Sequence, residues 1–447
     1  MSIFDNRRLT NKTFKLDIDR MRRGWYSDKY FENIGRMLTV LSAEEYTYAG
    51  KYHNLPASVS PENVPVGDIE VEMQWFTRRS GNTVVVGVDK SLEMLKCCTG
   101  YWEGDRFVDT SDTLEVWAVQ DGTIVRSDGN PLNVEPVIKV RGRYRDFALL
   151  ETPTLGALTR SSRVATNVYE TMMAARGKPV LFFPARFDMH EVQAADGYSY
   201  NIAVQRFNMD FSHEVGPFVS TDAQGDWWGG AGGGTVAHAA IASFLGDTAE
   251  AMMQFARVLP ASIPRIALVD FNNDSVRDTL RMLAEMFRKY QELCDLGDQV
   301  EAAKYILYGV RLDTSGSIRD VSVAPLGDAA LDLGVNPRLV FNVRQALDAA
   351  SESWDLPAPW KEAARKYCHN VKIVVSGGFG PEKINKFEKL GVPVDIYAVG
   401  SWLFNNNGST VTDFTADVVR VKVHGEWVDM AKVGRKPLDN PDLERVW

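Results

Sequence analysis

Cysteine is scarce: Cys97, Cys98, Cys294 and Cys368 are the only four. Adjacent Cys97 and Cys98 do not have metal-ligand spacing, and four scattered thiols make no disulfide framework. Positive charge is not in excess either. With 50 Lys+Arg against 59 Asp+Glu the formal net charge is -9, which excludes a general basic surface for nucleic acid or an anionic membrane. Long apolar runs are missing. None approaches the roughly 18–20 residues of a membrane span. The opening MSIFDNRRLTNKTFKLDIDRMRRGW lacks the apolar h-region of a secretory signal. These absences favour a reducing cytoplasm, with no nucleic acid and no membrane as partners.

What is present reads as an ordinary globular protein, 45% hydrophobic and 24% charged. At 447 residues the chain is long enough for two or three domains. Residues 67–150 are strand-rich. GNTVVVGVD, TLEVWAVQDGTIVRSDG and VEPVIKVRGRYRDFALLE are β-branched runs punctuated by Asp-Gly turns. From about residue 155 helix-like and strand-like stretches alternate. SRVATNVYETMMAARG is helical, and PVLFFPARFD is a strand buried on both faces. AAIASFLGDTAEAMMQFARVL leads to RIALVDFNND, and SVRDTLRMLAEMFRKYQELCD to KYILYGVRLD. PRLVFNVRQALDAAS reads as strand then helix, KIVVSGGFGPEKINKFEKLG as strand, turn and helix, and VDIYAVGSWL as a last strand.

This alternation predicts an α/β fold with a parallel sheet, closed or nearly closed into a barrel. The barrel-like domain is expected over 156–413. An N-terminal mixed α+β sheet domain is expected over 1–155. The tail VVRVKVHGEWVDMAKVGRK, a hairpin around His424-Gly425, should rejoin it and complete it with 414–447.

In βα architectures ligand groups gather just after the C-terminal ends of the strands. Each strand here ends in polar residues or glycine. The set is Arg186 and Asp188; Asp270, Asn272, Asn273 and Asp274; Arg311, Asp313, Thr314, Ser315 and Gly316; Ser376, Gly377, Gly378 and Gly380; and Gly400 with Ser401. SGGFG ahead of PEKINKF offers bare backbone N–H groups at a helix start, which suits phosphate. Gly400-Ser401 offers a second such turn. Two arginines can hold a polyphosphate or carboxylate in a forked grip. Carboxylates suit Mg²⁺ or a diol. A lone Ser-Gly-Gly is commonly only a turn, and Asp274 before SVRDTL also reads as a plain N-cap. Five agreeing strand ends carry more weight, and together they suggest a phosphorylated sugar bound with magnesium.

The glycine-rich stretch GGAGGGTVAHAAIASFLGD, from Gly229, ends by presenting His238 at a helix start. A linker and a core histidine are the plain readings. A loop that lets phosphate approach, followed by a general base or a nucleophile toward phosphorus, is the functional one. His213 in FSHEVG competes for that role. His190, His369 and His424 have structural or exposed surroundings, and Trp227-Trp228 serve packing.

In this order the motifs resemble the nicotinate phosphoribosyltransferase family of type II phosphoribosyltransferases, over nearly the whole chain and most strongly from about 150 to 430. GTVAHA resembles the family segment whose histidine is phosphorylated by ATP, which implicates His238. YGVRLDTSG resembles its Arg-x-Asp-Ser-Gly-Asp segment, implicating Arg311 and Asp313. VVSGGFGPEKI and YAVGSWL resemble its two phosphate turns, implicating Ser376, Gly377, Gly378, Gly400 and Ser401. FFPARFD places Arg186 where the family binds substrate, and Asp270 joins the substrate-binding set. SDKYF resembles an Asp-x-Tyr whose tyrosine stacks on the pyridine ring across a dimer interface, implicating Asp28 and Tyr30. The resemblance implies a soluble homodimer with shared active sites. It implies transfer of phosphoribosyl from phosphoribosyl diphosphate to nicotinate in NAD biosynthesis, with Mg²⁺ and with ATP as co-substrate in a ligase-type coupling.

The chain departs from that pattern in the glycine-rich approach to His238, with DAQGDWW before it, and again after Asp313. Asp313 is followed by Thr314, Ser315, Gly316 and Ser317, so the second acid is absent, and Asp320 is the nearest substitute. Three rival functions follow: transfer to nicotinamide or to quinolinate, non-catalytic binding of phosphoribosyl diphosphate, and a barrel aldolase or isomerase. The last needs a lysine within a strand, and only Lys372, at a strand start, is near one.

Overall fold

A strand of 10 residues near the C-terminus, Phe414–Val423, pairs antiparallel with Glu70–Thr77. It turns at His424 and Gly425 and returns as Glu426–Asp429. Both turn residues have positive φ, 51° and 86°, as a two-residue hairpin of this hand requires. The tail strand thus pairs with Glu70–Thr77. The computed structural model describes residues 3–234 and 236–447. Two compact units result: one takes the chain up to Tyr169 with Tyr198–Asp210 and Asn405–Trp447, the other Glu170–Gly197 with Phe211–Phe404.

The first unit is built on a six-stranded antiparallel sheet. Its order is Glu426–Asp429, Phe414–Val423, Glu70–Thr77, Ile138–Arg143, Glu115–Ala118 and Glu444–Arg445. Alternate residues point inward, so Trp75, Val116, Val140 and Ile138 meet Phe147 and Leu158 in one buried cluster. The Asp-Gly turn at Asp121 does not make the hairpin that TLEVWAVQDGTIVRSDG suggests. Glu115–Ala118 stays in the large sheet, while Ile124–Ser127 pairs with Gly81–Val84.

The reason lies in the Asp121 side chain. It accepts hydrogen bonds from the Val88 N–H (2.9 Å) and the Tyr198 hydroxyl (3.2 Å). Asp89 alongside accepts from Arg8 (2.9 Å) and the Leu9 N–H (2.7 Å). Burial, reinforced by Asp89, pushes the Asp121 carboxyl up to about 8. The folded protein therefore keeps a proton that the unfolded chain releases near pH 4. Stability from this group is full below that pH and is lost as pH rises through about 8. Asp121→Asn keeps an acceptor for Val88 and removes the charge. It is expected to flatten the fall of Tm between pH 5 and 8.5, and parallel Tm profiles for the two proteins would refute this.

The second unit holds five parallel strands: β1 (Val180–Phe182), β2 (Arg265–Leu268), β3 (Leu307–Leu312), β4 (Lys372–Val375) and β5 (Ile396–Val399). Their order is β1-β5-β4-β3-β2. Leu181, Ile266, Val374, Ile396 and Ala398 form a core patch on the sheet. The closed barrel expected from the alternation is corrected: among the described strands β1 and β2 are outer strands. Beyond β1 the sheet gains only the single-residue bridges Phe182↔Val219 and Val219↔Gly232.

One expected strand is absent because PRLVFNVRQALDAAS is helical throughout. Asn336 caps Pro337–Ala349 by accepting from the Leu339 N–H, and Pro337 sits in the first turn. The buried residues Leu339, Val340, Val343 and Leu347 fall on one helical stripe. AAIASFLGDTAEAMMQFARVL likewise divides, into His238–Ser243 and Thr248–Val258. Leu245 and Gly246 adopt positive φ between them, and Asp247 caps the second helix. No helix among the described residues is long and apolar enough to cross a membrane.

Candidate active site

Parallel register aligns the strand ends of the second unit. Arg311 lies beside Val374 on one side and Leu268 on the other, and Val399 lies beside Phe182. The residues that follow these positions therefore emerge at one edge of the sheet. Arg311 is nearly buried. Its Nη1 donates to Asp313 Oδ2 and to Ser376 Oγ, each at 3.1 Å, and Nη2 donates to the Val236 carbonyl at 3.2 Å. Ser376 Oγ donates in turn to Asp313 Oδ1 at 2.8 Å. Arg311, Asp313 and Ser376 thus form one hydrogen-bonded group from two adjacent strands. Arg311 Nε and Thr314 Oγ1 are buried beside it without a hydrogen-bond partner among the described residues.

Above this group the chain turns through Gly377 and Gly378, with φ of 89° and 68°. Side chains rarely adopt that conformation, so the turn stays bare and exposed while Phe379 and Gly380 are buried. Lys383, on the helix Pro381–Lys389, donates to the Gly377 carbonyl at 3.1 Å, and its ammonium lies 4.1 Å from the Phe379 ring centroid. Burial pulls the Lys383 amine down to about 8.

His238 begins its short helix and points Nε2 at both oxygens of Asp270, each at 3.1 Å. The Asp270 side chain is 7% exposed and that of His238 is 47%, an arrangement that holds the ring from the protein side and offers its other edge outward. Burial raises the Asp270 carboxyl, with Asp313 adding to the rise and His238 opposing it. Thr235 of the GTVAHA motif lies outside the described residues. Of the glycines before it, Gly230, Gly232 and Gly233 are packed, while a Cβ at Gly229 or Gly234 would meet nothing within 4 Å. Gly233 N–H donates to the Val219 carbonyl (2.8 Å) and Gly232 N–H to Asp222 (2.9 Å). A side chain at Gly230 would meet the Trp228 ring, and one at Gly233 the Phe218 ring. This segment is a sheet edge tied down at Val236 by Arg311.

Gly400 is packed against Phe187, whose ring a Cβ would approach to 2.7 Å, and exposed Ser401 opens a 3₁₀ turn. Arg186 is exposed on the loop after β1, its guanidinium 5.3 Å from the Phe187 ring. The second-unit set thus comprises His238 with Asp270, Arg311 with Asp313 and Ser376, and the turns at Gly377-Gly378 and Gly400-Ser401.

The family model described as quinolinate phosphoribosyl transferase, N-terminal domain, matches residues 62–162. Nicotinate phosphoribosyltransferase pncB2 of Mycobacterium tuberculosis is 28% identical over 210 residues, which are 46% of this chain and 40% of that protein. The aligned part of the chain thus spans about two fifths of that relative's length. The nicotinate-nucleotide pyrophosphorylase of Pyrococcus furiosus superposes with a TM-score of 0.60 at 24% identity, over 94% of this chain and 80% of its own. Human nicotinic acid phosphoribosyltransferase superposes with a TM-score of 0.50 at 15% identity, over 89% and 75%. The chain shares the fold of these two solved structures.

Asp320 does not stand in for the missing acid. It is fully buried, and its oxygens accept from the N–H and hydroxyl of both Ser275 and Ser322. Asp274 is an N-cap, accepting from the Arg277 N–H. Asn272 and Asn273 bond to Gly246, Asp278 and Arg319 and shape the loop. Asp28 and Tyr30 belong to the first unit, where they form a group of their own. Asp28 exchanges hydrogen bonds with Thr152 (3.1 and 3.2 Å), and Tyr30 is 57% exposed with its ring tilted against Phe31. Glu151, near both, is pushed up to about 8 by burial, then by Asp417 and Asp28. Sequence reasoning missed Lys383 and the His238–Asp270 pair. The DFNND run after a strand was a signal for the pair. Nothing in FGPEKINK distinguishes Lys383 from a solvated lysine.

Proposed function

We propose that the protein transfers phosphoribosyl from phosphoribosyl diphosphate to nicotinate, giving nicotinate mononucleotide and diphosphate in NAD biosynthesis. The observation that carries this is the Arg311–Asp313–Ser376 group beneath the bare Gly377-Gly378 turn. The turn's N–H groups take the 5-phosphate, with Gly400-Ser401 beside it. Asp313 faces the ribose, where a carboxylate stabilises positive charge as the C1–O bond to diphosphate breaks. The electron pair leaves with diphosphate, and the pyridine nitrogen forms the new bond to C1. Arg186 binds substrate at the exposed rim. Exposed Tyr30 of a second subunit, next to Asp28, supplies the ring face for nicotinate, which makes the homodimer the functional unit.

No cluster of three or more His, Cys, Asp or Glu suited to a metal occurs among the described residues. Mg²⁺ fits here only as an ion carried in with the diphosphate, met by the hard oxygen donors of Asp270 and Asp313. When bound it neutralises leaving-group charge. ATP acts as co-substrate by phosphorylating His238, whose ring Asp270 orients.

Quinolinate is the second reading, favoured by the description of the matched N-terminal domain. It carries two carboxylates, yet Arg311 is already committed to Asp313, Ser376 and Val236. Protein incubated with Mg²⁺, phosphoribosyl diphosphate and nicotinate, nicotinamide or quinolinate, with and without ATP, decides the acceptor. Mononucleotide is expected from nicotinate. Faster turnover of quinolinate reassigns the acceptor, and tight binding of phosphoribosyl diphosphate without diphosphate release in the presence of any of the three makes the protein a binder.

Lys383 gives the reaction a pH dependence. A half-buried ammonium beside the turn attracts the phosphate while it holds its proton, and it loses that proton near pH 8. KM for phosphoribosyl diphosphate is expected to rise about three- to tenfold between pH 7 and 9. Lys383→Met should start at the higher KM and show a flat profile. Unchanged KM in the variant at pH 7 would remove Lys383 from phosphate recognition.

A further inference from the structure

The first unit contains a cleft of about 520 Å³ that the proposed transfer does not use. Four arginines line it, Arg22, Arg23, Arg36 and Arg145, together with Tyr101 and Trp102, against the single carboxylate of Glu32. In a chain of net charge -9 this is a local reversal of sign.

The way these arginines are held matters more than their number. Arg23 lies over the Trp102 ring, 4.2 Å from its centroid, and Arg22 lies 4.1 Å from the Phe107 centroid. Arg145 lies 4.9 Å from the Tyr101 centroid. A guanidinium stacked on a ring is steadied through its face, which leaves the N–H edges of exposed Arg23 available, whereas Arg22 already donates from Nε and Nη2 to the Cys97 carbonyl at 2.9 and 2.7 Å. The rings are fixed in turn. Trp102 donates its indole N–H to the Arg22 carbonyl at 3.1 Å and packs edge-on against Phe107.

The carboxylates nearby only partly compensate. Glu32 is shared by Lys29 and Arg36, Asp109 is 3.5 Å from Arg22, and Asp68 is shared by Arg143 and Arg145 at 3.1 Å. No ion pair is formed by Arg23 among the described residues. Arg145 is 9% exposed, and its Nε has no hydrogen-bond partner, with Asp146 Oδ1 3.5 Å away. Arg145 is held by Asp68 and Tyr101, so the donors open to a ligand are those of exposed Arg23 and Arg36.

From these features we infer that the cleft binds a phosphorylated small molecule of mononucleotide size. Forked N–H donors match phosphate oxygens, and the volume exceeds what an inorganic anion fills. All lining residues belong to the first unit, so binding here does not depend on the acceptor or on the chemistry proposed for the second unit.

Calorimetric titration of the full-length protein with AMP, inorganic diphosphate and inorganic phosphate tests this. AMP is expected to bind most tightly of the three. Arg23→Ala/Arg36→Ala, which removes two exposed side chains and should leave Tm unchanged, is expected to weaken AMP at least tenfold. Trp102→Phe, which keeps a ring under Arg23, should weaken it less than Trp102→Ala. Arg311→Ala leaves this binding intact, which separates it from the strand-end turn. Equal AMP affinity in the wild type and in the Arg23/Arg36 variant would overturn the inference. So would the absence of binding by all three probes at millimolar concentration, or loss of AMP binding in Arg311→Ala alone.

Discussion

Arg311→Ala is expected to lower kcat/KM for phosphoribosyl diphosphate by about 10²-fold, the cost of misplacing the groups that the guanidinium positions. Two separate losses contribute. The guanidinium orients Asp313 and Ser376 and also holds the Val236 carbonyl, so the strand-end group and the histidine loop both lose an anchor. Removing one partner of a buried pair also costs about 3–5 kcal/mol of stability, so Tm should fall as well. Arg311→Lys separates the two effects. It keeps the charge but cannot reach three acceptors in forked geometry, and it should recover Tm more than kcat/KM. Activity within threefold of wild type in Arg311→Ala would remove this residue from the reaction.

His238→Ala carries the second large effect. Incubation with γ-labelled ATP is expected to label the wild-type protein and leave the variant unlabelled. Phosphoribosyl transfer without ATP should persist within a few fold, while its stimulation by ATP disappears. Asp270→Asn should retain weak labelling, because the ring keeps one hydrogen-bond partner but loses the carboxylate that stabilises its charged form. Label retained on His238→Ala would exclude this histidine as the phosphoryl acceptor.

Some of this was legible in the residues and some was not, for physical reasons. The β-strand ends could be read because short apolar runs stop abruptly at RLD, SGG and GS, and parallel register then brings those ends level. The tail hairpin could be read from alternation around His424-Gly425. PRLVFN could not, because Val and Phe favour strands while the decisive signals, Asn336 as cap and Pro337 in the first turn, outweigh them. The Asp121-Gly122 turn misled in a similar way. Its two flanking strands join different sheets because Asp121 bonds to Val88 and Tyr198, partners that no local pattern announces. Ser376 bridging to Asp313, and Lys383 under the turn, are tertiary facts of the same kind. The motif letters put Asp313 and Gly377 on a candidate list, but only the packed strands make them one group.

The strand pairing of the first unit also sets an order on synthesis. Thr77 pairs with Phe414, so one edge of the central strand stays open until almost the whole chain has been made. At typical elongation rates that wait lasts roughly 20–70 s. Glu70–Thr77, rich in Val, Met, Trp and Phe, spends it as an unpaired β-edge. The second unit, largely encoded between those partners, has time to fold first. Yield in a cell should therefore depend on chaperones that cover nascent apolar strands. Deletions that remove Phe414–Val423 should aggregate more than deletions of similar length in surface loops.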